Sequence, residues 1–220
     1  MDHHIYNYEE VKLKITMRKL WEDHAIWTRM FIVDLLSNSP SIDNTTNRLL
    51  KNQEAIGNCM KSFFGDTAGD TLLSLLKDHI NITADLLKAI KAGDVVRSTT
   101  LETDAVTNAE NIATFFSTIN PCYSRDELIE MLDTHLILVK YQFIARMSGD
   151  YNADVMYFDM GLHHILMISD CLFKGIIERF FEEQTLYPYQ IQTGYQDQAS
   201  YPNQTEEQTL DQYQQHQEQI

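Results

Sequence analysis

Proline and glycine are scarce in this chain. Its 220 residues include only four prolines and eight glycines. Most of them lie between segments with helical periodicity, where they end helices. Little room is left for the short strands and frequent turns of a β protein. The sequence therefore predicts an all-α fold.

Positive charge is also in short supply. The chain has 17 Lys and Arg against 32 Asp and Glu, which gives a formal net charge of −15. Nucleic acids and anionic lipid surfaces are bound by clustered Lys and Arg, and this sequence has no such cluster. We therefore expect neither a nucleic-acid partner nor a membrane partner.

Cysteine and long apolar runs are equally sparse. The three cysteines, Cys59, Cys122 and Cys171, are far apart and form no CxxC pair. They encode neither a disulfide framework nor a thiolate zinc site. The first residues lack the pattern of a secretory signal, and we find no run of 18 apolar residues to cross a bilayer. We predict a soluble cytoplasmic protein, with deposition in a spore or particle layer as the alternative.

Helical periodicity accounts for most of the sequence that remains. At 44% apolar residues, the chain can bury a substantial core. Apolar spacing, capping residues and helix-breaking residues together predict six helices. They cover about Glu9–Leu36, Asp43–Phe64, Thr67–Ala92, Val95–Ile119, Ser124–Met147 and Tyr151–Phe181.

Three histidines recur at nearly equal intervals on the apolar faces of these helices. His24, His79 and His135 are separated by 55 and 56 residues, and an Asn or Gly follows each one after 14 residues. Asn and Gly tolerate the left-handed conformation that ends many helices. The pattern predicts an internal repeat with one helical hairpin per unit. The units are about 20–74, 75–130 and 131–181.

Three such hairpins bury their apolar faces by packing together. We therefore predict a bundle of about six helices over residues 9–181, and a four-helix core is the alternative. Residues 1–8 are predicted to be a flexible N-terminus.

The C-terminal segment has a different composition. From Gln184 to Ile220 there are twelve Gln, five Tyr and no Lys or Arg. This composition predicts a disordered tail at residues 182–220.

The second helix of each hairpin carries a further polar residue about 30 positions after the histidine. These residues are Glu54, Glu110 and His163. An antiparallel hairpin brings each of them to a height similar to that of its histidine. Imidazole and carboxylate suit ions such as iron, manganese or zinc. The six residues are therefore a candidate metal site, which Asp159, four residues before His163, could join.

A hydrogen-bonded network without metal is the other interpretation. A bond from Glu54 or Glu110 to the histidine across its hairpin would satisfy both partners, or either glutamate could pair with a lysine. The Glu-x-x-His pairs of di-iron bundles, HExxH, GxGxxG, the Walker loop and the nucleophile elbow are all absent. The sequence assigns no catalytic residue.

Six segments carry a resemblance to a known family: LWEDHAIWTRMFI, RLLKNQEAIGN, FFGDTAGDTLLSLLKDHI, LLKAIKAGD, NAENIATFFSTINP and MLDTHL. They are similar to segments of a small uncharacterised all-helical family of spore-forming bacteria. The resemblance covers about Leu20 to Phe180. Some members are labelled acetylglutamate kinase or glycosyltransferase. The resemblance implies the helical fold and no catalytic residues. It also implies Glu where this chain has His163.

Three hypotheses of function remain open. The preferred one is a non-catalytic bundle, binding or structural, whose inward His and Glu form a polar cluster able to hold a metal ion. The second is a metal-dependent enzyme, oxidative for example, that uses the same ligands with an open coordination position. The third is a spore- or particle-layer scaffold that binds protein partners, or itself, through the Gln/Tyr-rich tail.

Overall fold

Six α-helices make up almost all of residues 6–181, the part of the chain that this computed structural model describes. They are α1 (Tyr8–Ser37), α2 (Ile42–Phe64), α3 (Asp66–Ala92), α4 (Val95–Ile119), α5 (Arg125–Met147) and α6 (Tyr151–Phe180). No strand occurs within residues 6–181. The all-α prediction with six helices is confirmed. The predicted tail, with the scaffold hypothesis built on it, and residues 1–5 lie outside the described residues.

Local sequence signals fix where the helices begin and end. Asn7 and Glu10 form a reciprocal capping box at the start of α1, which satisfies backbone N–H groups that have no partner inside the helix. Ser124 caps α5 by accepting a hydrogen bond from the backbone N–H of Glu127 at 3.3 Å. Gly93, with φ of 71°, ends α3 in the left-handed conformation, which costs glycine little because it has no Cβ.

The helices form a closed up-and-down bundle. Each helix packs against the next one along the chain, and α6 returns to pack against α1. Pairs of polar contacts between neighbouring helices show the antiparallel order. Between α2 and α3, Glu54 pairs with Lys77 and Lys61 with Asp70. Between α4 and α5, Glu102 pairs with Lys140 and Thr114 with Arg125. Helices α1, α3 and α5 therefore run in one direction, and α2, α4 and α6 run in the other.

The same side chain to backbone hydrogen bond links the two helices of every hairpin. In each case a side chain on the even-numbered helix donates to the carbonyl four residues before the repeated histidine. The pairs are Asn52 Nδ2 to Leu20 O at 2.9 Å, Asn108 Nδ2 to Leu75 O at 3.1 Å, and His164 Nε2 to Met131 O at 2.7 Å. This recurrence supports the three-hairpin organisation.

The core has two apolar clusters on either side of the repeated histidines. The larger cluster includes Trp21, Leu76 and Leu132, each three residues before a histidine, and the smaller one includes Leu87 and Phe143. Burial of a Leu or Phe side chain contributes about 1.5–3 kcal/mol. Packing of these clusters is therefore what holds the helices together and fixes the histidines between them.

Helix α6 is long and apolar enough, by length and composition alone, to cross a membrane. It is not an uninterrupted run of 18 apolar residues, since Asp159, His163, His164 and Asp170 interrupt it, so the expectation that no such run exists is not contradicted. Of the apolar window in α6, 44% is buried inside the bundle, where Leu172 and Ile176 are completely buried. A core helix meets the same criteria, so this is weak support for a membrane span, and localisation in the cytoplasm stays a prediction.

Candidate functional site

The three repeated histidines meet in the middle of the bundle. His24 is 4% exposed, His79 is 6% and His135 is 5%. The Nε2 atoms of His24 and His135 lie 3.4 Å apart. The rings of His79 and His135 are stacked, with centroids 6.0 Å apart and an interplanar angle of 28°. Imidazoles from α1, α3 and α5 thus form one cluster, which we call the histidine centre.

Asn108 fixes the orientation of His79 from the neighbouring helix α4. The amide Nδ2 of Asn108 donates to the carbonyl of Leu75 at 3.1 Å, so its Oδ1 is free to accept. That oxygen lies 3.1 Å from His79 Nδ1. The proton of neutral His79 is therefore on Nδ1, and Nε2, on the opposite side of the ring, keeps its lone pair.

Gln53 contacts His24 in the equivalent place on α2. Its Nε2 lies 3.2 Å from His24 Nδ1. The backbone carbonyl of Leu49 and the side-chain oxygen of Asn52 are also within hydrogen-bond distance of this NH2 group, whose two hydrogens are shared among the three acceptors. With Gln53 as the donor, His24 carries its proton on Nε2 and donates it to Nε2 of His135. The proton of His135 is then on Nδ1, an atom with no hydrogen-bond partner within residues 6–181.

Burial keeps all three imidazoles neutral. Desolvation, with a smaller contribution from His79, lowers the pKa of His24 to about 3. Burial and then the neighbouring histidines hold the pKa of His135 well below its ordinary value. Burial also lowers the pKa of His79, against a smaller opposing effect of the bond to Asn108. Neutral imidazole is the form that binds metal ions.

The other predicted ligands do not join the histidine centre. Glu54 is exposed and its carboxylate pairs with Lys77 Nζ at 2.9 Å. Glu110, Asp159 and His163 are also exposed. The predicted cluster of six ligands does not form, because only the three histidines come together. The alternative of a Glu54–His24 bond is also wrong, because Glu54 pairs with Lys77. These exposed side chains occupy the outer faces of α2, α4 and α6. A charged group there stays in water and avoids the free-energy cost of burial.

The residues that do reach the histidines were missed by the sequence analysis. Gln53, Asn108 and His164 each lie 29 residues after the histidine of their own hairpin. Gln53 and Asn108 bond their histidines directly, and His164 lies close enough to lower the pKa of His135. A search at one constant spacing would have found them, whereas a search for carboxylates selected residues one or two positions away.

Small cavities of about 20 Å³ border the centre on two sides. A cavity of this size has room for one water molecule. Within residues 6–181, no group of three or more His, Cys, Asp or Glu side chains has the spacing of a metal site. The centre as it stands consists of two imidazoles with facing nitrogens and a third stacked beside them.

Comparisons with protein-family models, curated proteins and solved structures found no match for this chain. The resemblance to the spore-former family stays a prediction.

Proposed function

We propose that this protein is a non-catalytic helical bundle that binds one Zn²⁺ ion at the histidine centre, through His24, His79 and His135. The ion would join α1, α3 and α5, and so connect all three hairpins. Metal binding would stabilise the fold, because the ligands are brought together only in the folded chain.

One distance carries this proposal. The Nε2 atoms of His24 and His135 are 3.4 Å apart. For tetrahedral zinc with Zn–N bonds of about 2.0–2.1 Å, two ligand nitrogens are separated by about 3.3–3.4 Å. The two imidazoles thus already have the separation of ligands on one ion, which would replace the hydrogen bond between them once the proton of His24 moves from Nε2 to Nδ1.

The kind of ligand supports zinc over manganese. Carboxylates, carbonyls and water suit manganese, whereas imidazole suits zinc, copper, iron and nickel. The acids proposed from sequence, Glu54, Glu110 and Asp159, are on the surface. Among the metals that imidazole suits, the tetrahedral separation of the His24 and His135 nitrogens fits the four-coordinate geometry of structural zinc sites.

His79 is the third ligand of the proposed site. Its Nδ1 is held by Asn108 at 3.1 Å, which leaves Nε2 as the donor atom. An outer hydrogen bond from the far nitrogen is the usual way in which a protein orients a metal-binding histidine. Because the ring stacks on His135, completing the site requires His79 and Asn108 to move together toward the other two histidines, with their hydrogen bond kept.

Enclosure of the centre supports binding without catalysis. The three histidines are at most 6% exposed, and the adjoining cavities of about 20 Å³ have room for a water molecule but not for an organic substrate. A catalytic zinc site needs a coordination position that substrate can reach, and the buried histidine centre gives an organic substrate no such access.

Competitive titration tests the proposal. Chelator-stripped protein carrying His3→Gln and His4→Gln would be titrated with Zn²⁺ against a chromophoric chelator, and bound zinc would be counted by elemental analysis. We expect one ion per chain and a melting temperature that rises with zinc concentration. His135→Gln should abolish both effects.

His163→Gln is the matched control, since it makes the same substitution at an exposed histidine of α6. It should bind zinc as the parent does. The competing account is a metal-free chain of hydrogen bonds from Gln53 through His24 to His135. Absence of stoichiometric zinc, or equal binding by His135→Gln, would favour that account and overturn the proposal.

A further inference from the structure

One of the cavities beside the histidine centre includes two hydroxyl-bearing residues in a mainly apolar lining. It touches all three histidines, and Thr28 and Thr83 line it together with apolar residues such as Phe31, Leu87 and Val139. The cavity on the other side of the centre is lined, apart from the histidines, by apolar residues such as Leu76, Phe116 and Ile165. The two sides of the centre therefore differ in chemistry although the cavities have the same volume, about 20 Å³.

The two threonines occupy the same place in their hairpins. Thr28 and Thr83 each follow the repeated histidine by four residues, so each lies on the same helical face as its histidine, one turn further on. In the third hairpin this place is taken by Val139. Valine has the shape of threonine without its hydroxyl, so the position accepts either residue sterically.

Both hydroxyls are shielded from solvent and have no hydrogen-bond partner within residues 6–181. Other helical threonines of this chain donate to the carbonyl four residues before them, as Thr46 does to Ile42 at 2.8 Å and Thr107 does to Thr103 at 3.0 Å. Thr28 and Thr83 do not. Buried hydroxyls normally have a hydrogen-bond partner, and the cavity lined by Thr28 and Thr83 has room for one.

We propose that this cavity holds one water-sized oxygen ligand, which accepts or donates hydrogen bonds with Thr28 and Thr83 and occupies the fourth coordination position of the metal ion. The inference rests on the proposed zinc site and specifies its coordination as three nitrogens and one oxygen. The volume of about 20 Å³ exceeds the roughly 10–15 Å³ that one water requires. It leaves no space for a larger ligand.

A double substitution isolates the hydroxyls. Thr28→Val with Thr83→Val keeps the packed shape, as Val139 already does in the third hairpin, and removes the two hydrogen-bonding groups. Loss of groups that support metal ligands weakens metal affinity by about 10–100-fold. We expect a loss of that size in zinc affinity. We also expect the visible spectrum of the Co²⁺-loaded protein to change from that of a four-coordinate ion.

Thr103→Val with Thr107→Val is the matched control, because both threonines are exposed on α4. It should leave zinc affinity and the Co²⁺ spectrum unchanged. A crystal structure of the zinc-loaded parent should show an oxygen ligand between Thr28 and Thr83.

The outcomes separate this inference from the proposed function. If the Thr28/Thr83 double variant binds zinc with parental affinity and gives the parental Co²⁺ spectrum, the fourth-ligand role is overturned and the zinc site stands. If the parent binds neither Zn²⁺ nor Co²⁺, both are overturned. A zinc-loaded crystal structure with the cavity dry would also overturn the inference alone.

Discussion

Arg29 on α1 forms a two-bond ion pair with Asp154 on α6, with N–O distances of 3.0 and 3.1 Å. Asp154 is 1% exposed and also accepts from Arg146 at 2.7 Å and from Gln142 at 3.3 Å. One carboxylate thereby connects α1, α5 and α6. This junction closes the ring of helices at one end of the bundle.

Asp154→Asn should be strongly destabilising. The substitution keeps the shape but leaves two arginines facing a neutral group. Breaking a buried ion pair costs about 3–5 kcal/mol, and we expect about 3 kcal/mol because the arginine side chains are 22% and 25% exposed. Urea unfolding measures the change. Asp170→Asn is the control, since its pair with Arg18 is 40% exposed on both sides, and it should cost at most about 1 kcal/mol.

Gly175 on α6 gives space to the ring of Tyr123. A Cβ at position 175 would lie 2.0 Å from Tyr123 Cε1, and the tyrosine is held by a hydrogen bond to the carbonyl of Leu172 at 2.6 Å. Overpacking of this kind costs about 1–3 kcal/mol or more. We expect Gly175→Ala to lower the melting temperature clearly.

Gly161→Ala on the same helix is the comparison, because the nearest atom to its added Cβ would be Leu138 Cβ at 4.0 Å. Alanine is favoured over glycine in a helix by about 0.8–1 kcal/mol, so this variant should be as stable as the parent or more stable. Equal melting temperatures for the two alanine variants would contradict the packing described for Tyr123.

The stability of metal-free protein should fall as the solution is acidified. The pKa of each central histidine is lowered in the folded state, to about 3 for His24, against about 6.5 in the unfolded chain. Below pH 6.5 the unfolded state therefore binds more protons, and stability is lost as pH decreases. A histidine that stays neutral in the folded state throughout this range, as His24 does, contributes a slope of up to about 1.4 kcal/mol per pH unit.

Unfolding free energies measured from pH 7.5 to pH 5 would report this slope. His135→Leu removes one buried imidazole and should make the slope shallower, whereas His163→Gln, at an exposed position, should leave it unchanged. A slope that is the same in His135→Leu and in the parent would show that His135 is not buried as a neutral group.

His135→Leu also separates function from stability. Nδ1 of His135 has no hydrogen-bond partner within residues 6–181, and a buried unsatisfied polar group costs about 1–3 kcal/mol. Leucine removes that cost but also removes the acceptor of the His24 Nε2–H group, which has a cost of similar size. We expect the metal-free variant to unfold at about the same urea concentration as the parent, while its zinc binding is lost. A large loss of metal-free stability would indicate instead that His135 serves the fold.

The helices could be predicted from sequence because their ends are marked chemically. Gly65, Gly93 and Gly149 all have positive φ angles, and each follows a predicted helix. The predicted bounds of α4 agree with the structure, and those of α2 differ by one residue at the start. Apolar periodicity also placed the three histidines on inward faces. These signals are local, so they need no knowledge of how the helices pack.

The partners of the histidines could not be predicted in the same way. Contacts across a hairpin depend on the register of two helices, and a shift of one residue rotates a side chain by about 100° around the helix. Glu54 and Gln53 are adjacent in sequence, yet Glu54 faces Lys77 at the surface and Gln53 contacts His24 in the core. Residue type suggested Glu54 as the partner of His24. Gln53 is identified by the packing, or by the spacing of 29 residues that recurs in all three hairpins.

Anomalous diffraction at the zinc absorption edge is the most direct test of the histidine centre. Crystals of the full chain would be grown with one equivalent of Zn²⁺ after chelator treatment. We predict one anomalous peak at about 2.0–2.1 Å from a ring nitrogen of each of His24, His79 and His135. A peak elsewhere on the protein, or none between these three rings, would contradict the account.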